Sequence, residues 1–298
     1  MDWVLPSLLS AVAFTVLTIV QKRILQRHVH SAVVFNALAA LPQFAVAVVI
    51  LLLWPPDWST SAVKIMLGAG VIQATVWLLQ SYAINREVDI SRIVPVLDSF
   101  PLPVLIIAVV ALGETLTPLK WVAALMVIAG AILASAHQAM PGERIRMNRS
   151  LFAIIGAMMA MAVMTILFKI VSTELTAFQM IALTWLVSAP IHLGISRVTH
   201  VGPAIRTALR SPSAVGMMAA SQIAMFIAII AGLIAITIGP VSLSTAIMST
   251  RPVMLLIWAV ASGFSVRDVL RREPQRGGMR SKWASASLVT VGVGVMAF

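Results

Sequence analysis

The sequence predicts an all-α integral membrane protein, with ten transmembrane helices arranged as two inverted five-helix repeats. Three observations predict it. The chain is too apolar and too poor in charge for water. Its apolar residues fall into ten runs of membrane-spanning length. Its second half repeats features of the first at a nearly constant offset.

Of the 298 residues, 60% are hydrophobic and 10% are charged, and the mean hydropathy is +1.00. Soluble domains carry about 45–50% apolar and about 25% charged residues. The shortfall is in the charge that keeps a surface wet, so the solvent must itself be apolar. A net charge of +11 would suit nucleic acid, but the basic residues sit in the gaps between apolar runs and form no groove-like cluster. No nucleic-acid partner is expected. Cysteine is absent, which excludes disulfides, thiolate metal sites and thiol nucleophiles. The opening segment MDWVLPSLLSAVAFTVLTIV has no basic n-region and reads as a first span, not as a cleaved signal.

About 20 apolar residues cross the ~30 Å hydrocarbon layer as a helix. Runs of that kind lie at 3–21, 32–53, 63–83, 90–111, 119–136, 151–171, 177–196, 214–236, 240–262 and 282–298. The gaps between them are short and hold most of the charge, and none has room for a soluble domain. Pro and Gly recur inside the runs, which membrane helices tolerate because neighbours satisfy the freed backbone groups.

The repeat follows from particular matches. Residues 120–130 read KWVAALMVIAG and residues 282–292 read KWASASLVTVG. LPVLIIAVVA at 102–111 parallels RPVMLLIWAV at 251–260, an offset of 149. Lys22 and Lys169 stand 147 apart, and Pro42 and Pro190 stand 148 apart. Two halves, 1–148 and 149–298, are therefore expected within one membrane domain. Five spans per half is an odd number, so the second half must enter the bilayer from the opposite face. Inverted halves with a site at their interface are a recurring transporter plan.

Orientation is read from Lys and Arg. The loops after the odd-numbered spans hold seventeen of them. The other side holds Lys64, Lys120 and Lys169, and Arg251 falls within a span. This bias predicts a multi-pass protein of the cell membrane with odd-numbered loops in the cytoplasm and both termini outside.

Ten spans in two halves resemble the EamA-type transporters of the drug/metabolite transporter superfamily. The likeness is closest over residues 82–134, where Pro103 falls mid-span, Gly113-Glu114 ends span four and Gly130 lies in span five. The second half keeps Pro252 and Gly292 but reads SGFSVRDVLRREPQRGGMRSKW where Gly-Glu is expected, with no Glu beside Gly263. Family members usually place both termini in the cytoplasm, opposite to the charge bias. The resemblance implies a helix basket around a central cavity, carrying small metabolites such as amino acids.

Charged side chains inside a bilayer cost about 2.5–3.5 kcal/mol on insertion scales and are functional candidates by default. Asp98 in span four and Arg251 in span nine occupy equivalent helices and are flanked by Pro95, Pro101 and Pro103 on one side and Pro252 on the other. Two readings stand together: a cavity with one acidic and one basic group that takes a zwitterion or carboxylate, or a structural ion pair locking the halves. Asp98 suits a proton-coupled cycle, whereas pairing with Arg251 argues against one. Gln73, Trp77 and Gln80 repeat at i, i+4 and i+7, one face of span three. Tyr82, Ser249 and Thr250 complete the expected substrate-binding set. Asn36, Gln43, Gln179, Trp185 and Gln222 are further polar or aromatic candidates. Trp54, Trp58, Trp121 and Trp283 sit at span ends and read as interface anchors.

The five His residues show no metal-ligand spacing, and no Ser–His–Asp set, phosphate-binding glycine loop or paired carboxylates appear. No catalytic residue, metal or cofactor is expected, and an ATP-driven pump is excluded for this chain alone. The leading expectation is a secondary transporter, in the export direction, of small polar organic metabolites. A flippase for a lipid-linked sugar or polar lipid is one alternative, and a non-transporting intramembrane enzyme or assembly protein is another. Oligomeric state stays open.

Overall fold

The computed structural model describes residues 2–29, 31–86, 99–136, 149–251, 253–254 and 287–295. The first three helices are α1 (Val4–Arg27), α2 (Ala32–Leu53) and α3 (Ser61–Arg86). Then come α4 (Pro101–Leu112), α5 (Pro118–Ala136), α6 (Arg149–Val171) and α7 (Ala177–Val198). A short α8 (Gly202–Leu209), α9 (Pro212–Ile238) and α10 (Val241–Met248) follow, and residues 287–295 are helical. Among the described residues no strand occurs. Six helices are long and apolar enough to cross a membrane, with shorter apolar helices at Pro101–Leu112 and Pro118–Gly130. The fold is that of a multi-pass membrane protein.

The bundle exposes apolar side chains on its outside, among them Leu5, Leu52, Val110 and Val122. In water such a surface would aggregate, but against acyl chains it is the ordinary face of a membrane helix. The inside is built largely of small side chains. Ala62, Ala69, Ala182, Ala228 and Ala246 are all buried. Small residues let membrane helices approach closely where no hydrophobic force drives them together.

Helix ends follow local chemistry more than hydropathy. The first span extends past residue 21 to Arg27, because a helix can run into the headgroup layer once its charged side chains reach water. Thr176 opens α7 with a capping box, its hydroxyl accepting from the Gln179 N–H while the Gln179 side chain accepts from the Thr176 N–H. Ser211 caps α9, and Pro212 fills its first turn, where no donor is needed. Gly113 ends α4 at φ 66°, the left-handed conformation that favours glycine.

Two outcomes differ from the sequence expectation. The loop after span seven contains α8, where Ile205 and Ala208, with Val201 just before the helix, pack against Val34, Phe35 and Met218. Span nine is not one continuous helix. It breaks at Ser249–Thr250 and resumes at Arg251. Pro252 has no N–H to offer Met248 O, so the helical ladder loses a rung there. A turn at Ser99–Phe100 precedes α4 at the matching level of the first half.

Helix packing exchanges the halves. The principal pairings are α1 with α9 and α3 with α6, which the repeat offset interchanges, and α2 with α7, which it maps onto itself. The contacts of α4 with α6 and of α1 with α10 form a second such set. One set is unequal. α3 lies against α7 along much of its length, whereas its counterpart, α9 on α2, touches briefly.

Candidate functional site

A small pocket, with room for about one water molecule, lies where α2, α3, α7 and α9 meet, between helices of both halves of the sequence. Phe35, Asn36, Ala39 and Gln43 line it from α2, Trp77 from α3, His192 from α7 and Met225 from α9. Its described lining is mostly apolar, with Asn36, Gln43 and His192 as the polar members, and carries no carboxylate, Lys or Arg. This fits a wall built inside a bilayer, where amides and an imidazole cost less than charges.

Hydrogen bonds across the two seams beside the cavity fix its walls. Gln43 Nε2 donates to Gln222 Oε1 at 3.0 Å, joining α2 to α9. The Ser188 hydroxyl donates to Gln73 Oε1 at 3.3 Å, joining α7 to α3. Gln73 and Gln222 stand 149 residues apart, so the repeat places one glutamine on each seam. Pro42 in α2 and Pro190 in α7 lie inside their helices next to these contacts. Each leaves a carbonyl one turn earlier without its usual amide partner.

The α3–α7 seam is tight because Gly70 has no side chain. A Cβ there would lie 2.7 Å from Val187 Cβ and 2.8 Å from Thr184 O. The two helices run parallel, so contacts repeat as levels along the seam. Gly70 meets Thr184 and Val187, Gln73 meets Ser188, and Trp77 and His192 both face the cavity.

Three buried polar atoms have no hydrogen-bond partner among the described residues: Trp185 Nε1, His192 Nδ1 and Thr250 Oγ1. His192 is 5% exposed and Trp185 is 2% exposed. Leaving such groups unpaired costs about 1–3 kcal/mol each, and a ligand that pairs with them recovers that cost.

Arg251 lies beyond the break in span nine, with its guanidinium carbon 5.2 Å from the Phe14 ring centroid, a cation–π contact. Phe14 packs in one cluster with Trp77 and Met225, both of which line the cavity. Arg251 therefore stands one layer behind the cavity wall.

The structure separates the residues that the sequence singles out. Trp77 lines the cavity. Gln73 is buried in the α3–α7 seam, and Gln80 is half-buried on the same helix. The Ser249 hydroxyl donates to Ala246 O, so its proton is committed to its own helix. Thr250 is fully buried beside Arg251. Asp98, Pro252 and the Tyr82 side chain lie outside the described residues. Gln179 is far from the cavity: it forms the α7 cap and donates to Trp54 O. Asn36, Gln43 and Gln222 do meet at or beside the cavity. His192 carries no metal-ligand spacing and so gives no signal on that test. The signal that finds it is the spacing of Trp185, Ser188 and His192, a polar stripe on one face of α7.

Glu114, half of the Gly-Glu pair, also gains a role. Its carboxylate accepts from Val241 N at 2.6 Å, from Ser242 N at 3.3 Å and from Ser242 Oγ at 2.5 Å, capping the N-terminus of α10.

Residues 1–136 match the model of the EamA-like transporter family. No curated protein matches the chain. A crystal structure at 15% identity superposes with a TM-score of 0.75 over 99% of this chain and 96% of its own. At that identity the likeness shows the fold, here over essentially the full length. Family match and helix bundle agree on the fold: the chain is a multi-pass membrane protein whose first 136 residues are similar to the EamA-like transporter family.

Proposed function

We propose that the protein is a secondary transporter that exports small polar organic solutes, with zwitterions and carboxylates such as amino acids as the substrate class. The observation that carries this reading is the small pocket between the halves, to which Asn36, Gln43, His192 and Trp77 all contribute. A solute that brings donors and acceptors pairs with these groups, while Phe35, Trp77 and Met225 hold its apolar part.

Alternating access supplies the cycle. Residues 1–148 and 149–298 act as inverted repeats that exchange conformations. The unequal seams support this: α3–α7 is shut while α2–α9 is slack, and an exchange of the halves swaps the two. Arg251, one layer behind the wall, is the cationic group that a carboxylate recruits when the seams exchange. Asp98, next in sequence to the Ser99–Phe100 turn, is the proton carrier in this reading. The test is uptake of radiolabelled amino acids into proteoliposomes, with His192→Leu and Gln43→Leu expected to abolish it.

A further inference from the structure

The α7 stripe continues past the cavity. From His192 the next level inward is Ser188, bonded to Gln73, and the level beyond is Trp185. Seven residues of helix place Trp185 roughly 10 Å from His192. Trp185 stands about two turns into α7, well inside the bundle and away from the belt where indoles usually find water. Its ring lies 6.1 Å from that of Phe226, and its indole N–H is buried with no acceptor among the described residues. An indole N–H is a donor only, so it is satisfied by an acceptor, of which a carboxylate or carbonyl oxygen is the strongest.

We propose that the Trp185 N–H is a second, inner binding position on the translocation path, taken by a carboxylate or carbonyl oxygen of the solute when the Gln73–Ser188 contact parts. This rests on the transporter reading above and names a step within it. The solute first meets His192, Asn36 and Gln43 in the cavity. Exchange of the seams then separates α3 from α7 above Gly70, and the acceptor oxygen passes about two turns along α7 to the waiting donor. Trp185 acts by holding the solute in transit, so it governs turnover and leaves first binding alone.

The test uses the full chain in proteoliposomes, with radiolabelled amino acids as probes, one at a time. Trp185→Phe keeps the ring packing and removes the N–H. For an amino acid that the unsubstituted chain carries, Trp185→Phe is expected to lower kcat about tenfold, the effect of one lost hydrogen bond. The Kd for that amino acid should stay within about twofold. A second measurement does not depend on the fold of that variant. The chain has no cysteine, so Ser188→Cys gives a single reporter of similar size. Its thiol should react with a membrane-impermeant maleimide, faster when a carried amino acid is cycling. Unchanged kcat in Trp185→Phe, or a Ser188→Cys thiol that stays unreactive during transport, overturns the inner position while leaving the transporter reading intact. If the unsubstituted chain carries no amino acid, both readings fall together.

Discussion

Lys169 and Glu114 grip the same turn from opposite ends. Lys169 Nζ donates to Ile236 O at 2.8 Å, to Thr237 O at 3.4 Å and to Gly239 O at 2.8 Å, where α9 ends. Glu114 accepts from the amides where α10 begins. A cation thus meets the negative end of one helix dipole and an anion the positive end of the next. Lys169→Met keeps the length of the side chain and removes its donors. It should lower stability by about 1.5–3 kcal/mol, the range for hydrogen bonds to charged groups. Glu114→Gln keeps an acceptor oxygen and should cost less. Thermal melts of the purified protein check both, and a Lys169→Met melt equal to that of the parent contradicts the clamp.

Gly70 and Gly68 lie two residues apart on α3 and should respond differently to alanine. A Cβ at Gly70 would lie 2.8 Å from the Thr184 backbone oxygen, whereas at Gly68 nothing lies within 4 Å. Gly70→Ala forces α3 off α7 and should cost about 1–3 kcal/mol. Gly68→Ala should be neutral or slightly stabilising, because alanine favours the helix by ~1 kcal/mol. Melting curves of the two variants side by side check this, and equal shifts would show that the seam is looser than described.

How far the sequence could be read follows from what each feature depends on. Hydropathy exposes the spans because the bilayer imposes one length and one polarity on every crossing. Pro42 and Pro190 are a part of the repeat pattern that the structure describes, each inside its helix, whereas Lys282 and Trp283 of the second Lys-Trp segment lie outside the described residues. The break at Ser249–Thr250 is legible only in part, since a proline signals an interruption without saying how the chain bends around it. Asn36, Gln43 and Gln222 are visible as polar residues in apolar runs. Their convergence depends on which helices become neighbours, and one chain's pattern does not say that. His192 escapes a search for metal spacing, because the helix places it in a stripe with Ser188 and Trp185. Glu114 reads as a family mark, and its capping of α10 needs the fold.

Arg251 and Asp98 separate binding from scaffolding. Arg251→Ala should abolish transport of an anionic or zwitterionic solute while the protein still reaches the membrane. In the double variant Asp98→Asn with Arg251→Gln both charges go. A structural pair is often dispensable once both partners are neutral, so normal transport by a well-expressed double variant would assign the pair to scaffolding. Loss of transport is the expected result.

Sidedness is checked with a reporter active only in the cytoplasm. Fused within 144–149 it should give signal, and fused after Phe298 it should give none, as the excess of Lys and Arg in the odd-numbered loops requires. The opposite pattern would show that the topology usual in the family prevails over the charge bias.

Transport through the pocket is measured most directly as amino-acid uptake by proteoliposomes holding the unsubstituted chain, His192→Leu or Gln43→Leu. Leucine at either position removes a hydrogen-bonding group from the cavity wall, with a side chain of similar size. Saturable uptake of at least one amino acid is expected of the unsubstituted chain, with a fall of about tenfold or more in both variants at unchanged protein content per vesicle. Uptake no greater than in empty vesicles, or uptake that both variants retain in full, contradicts it.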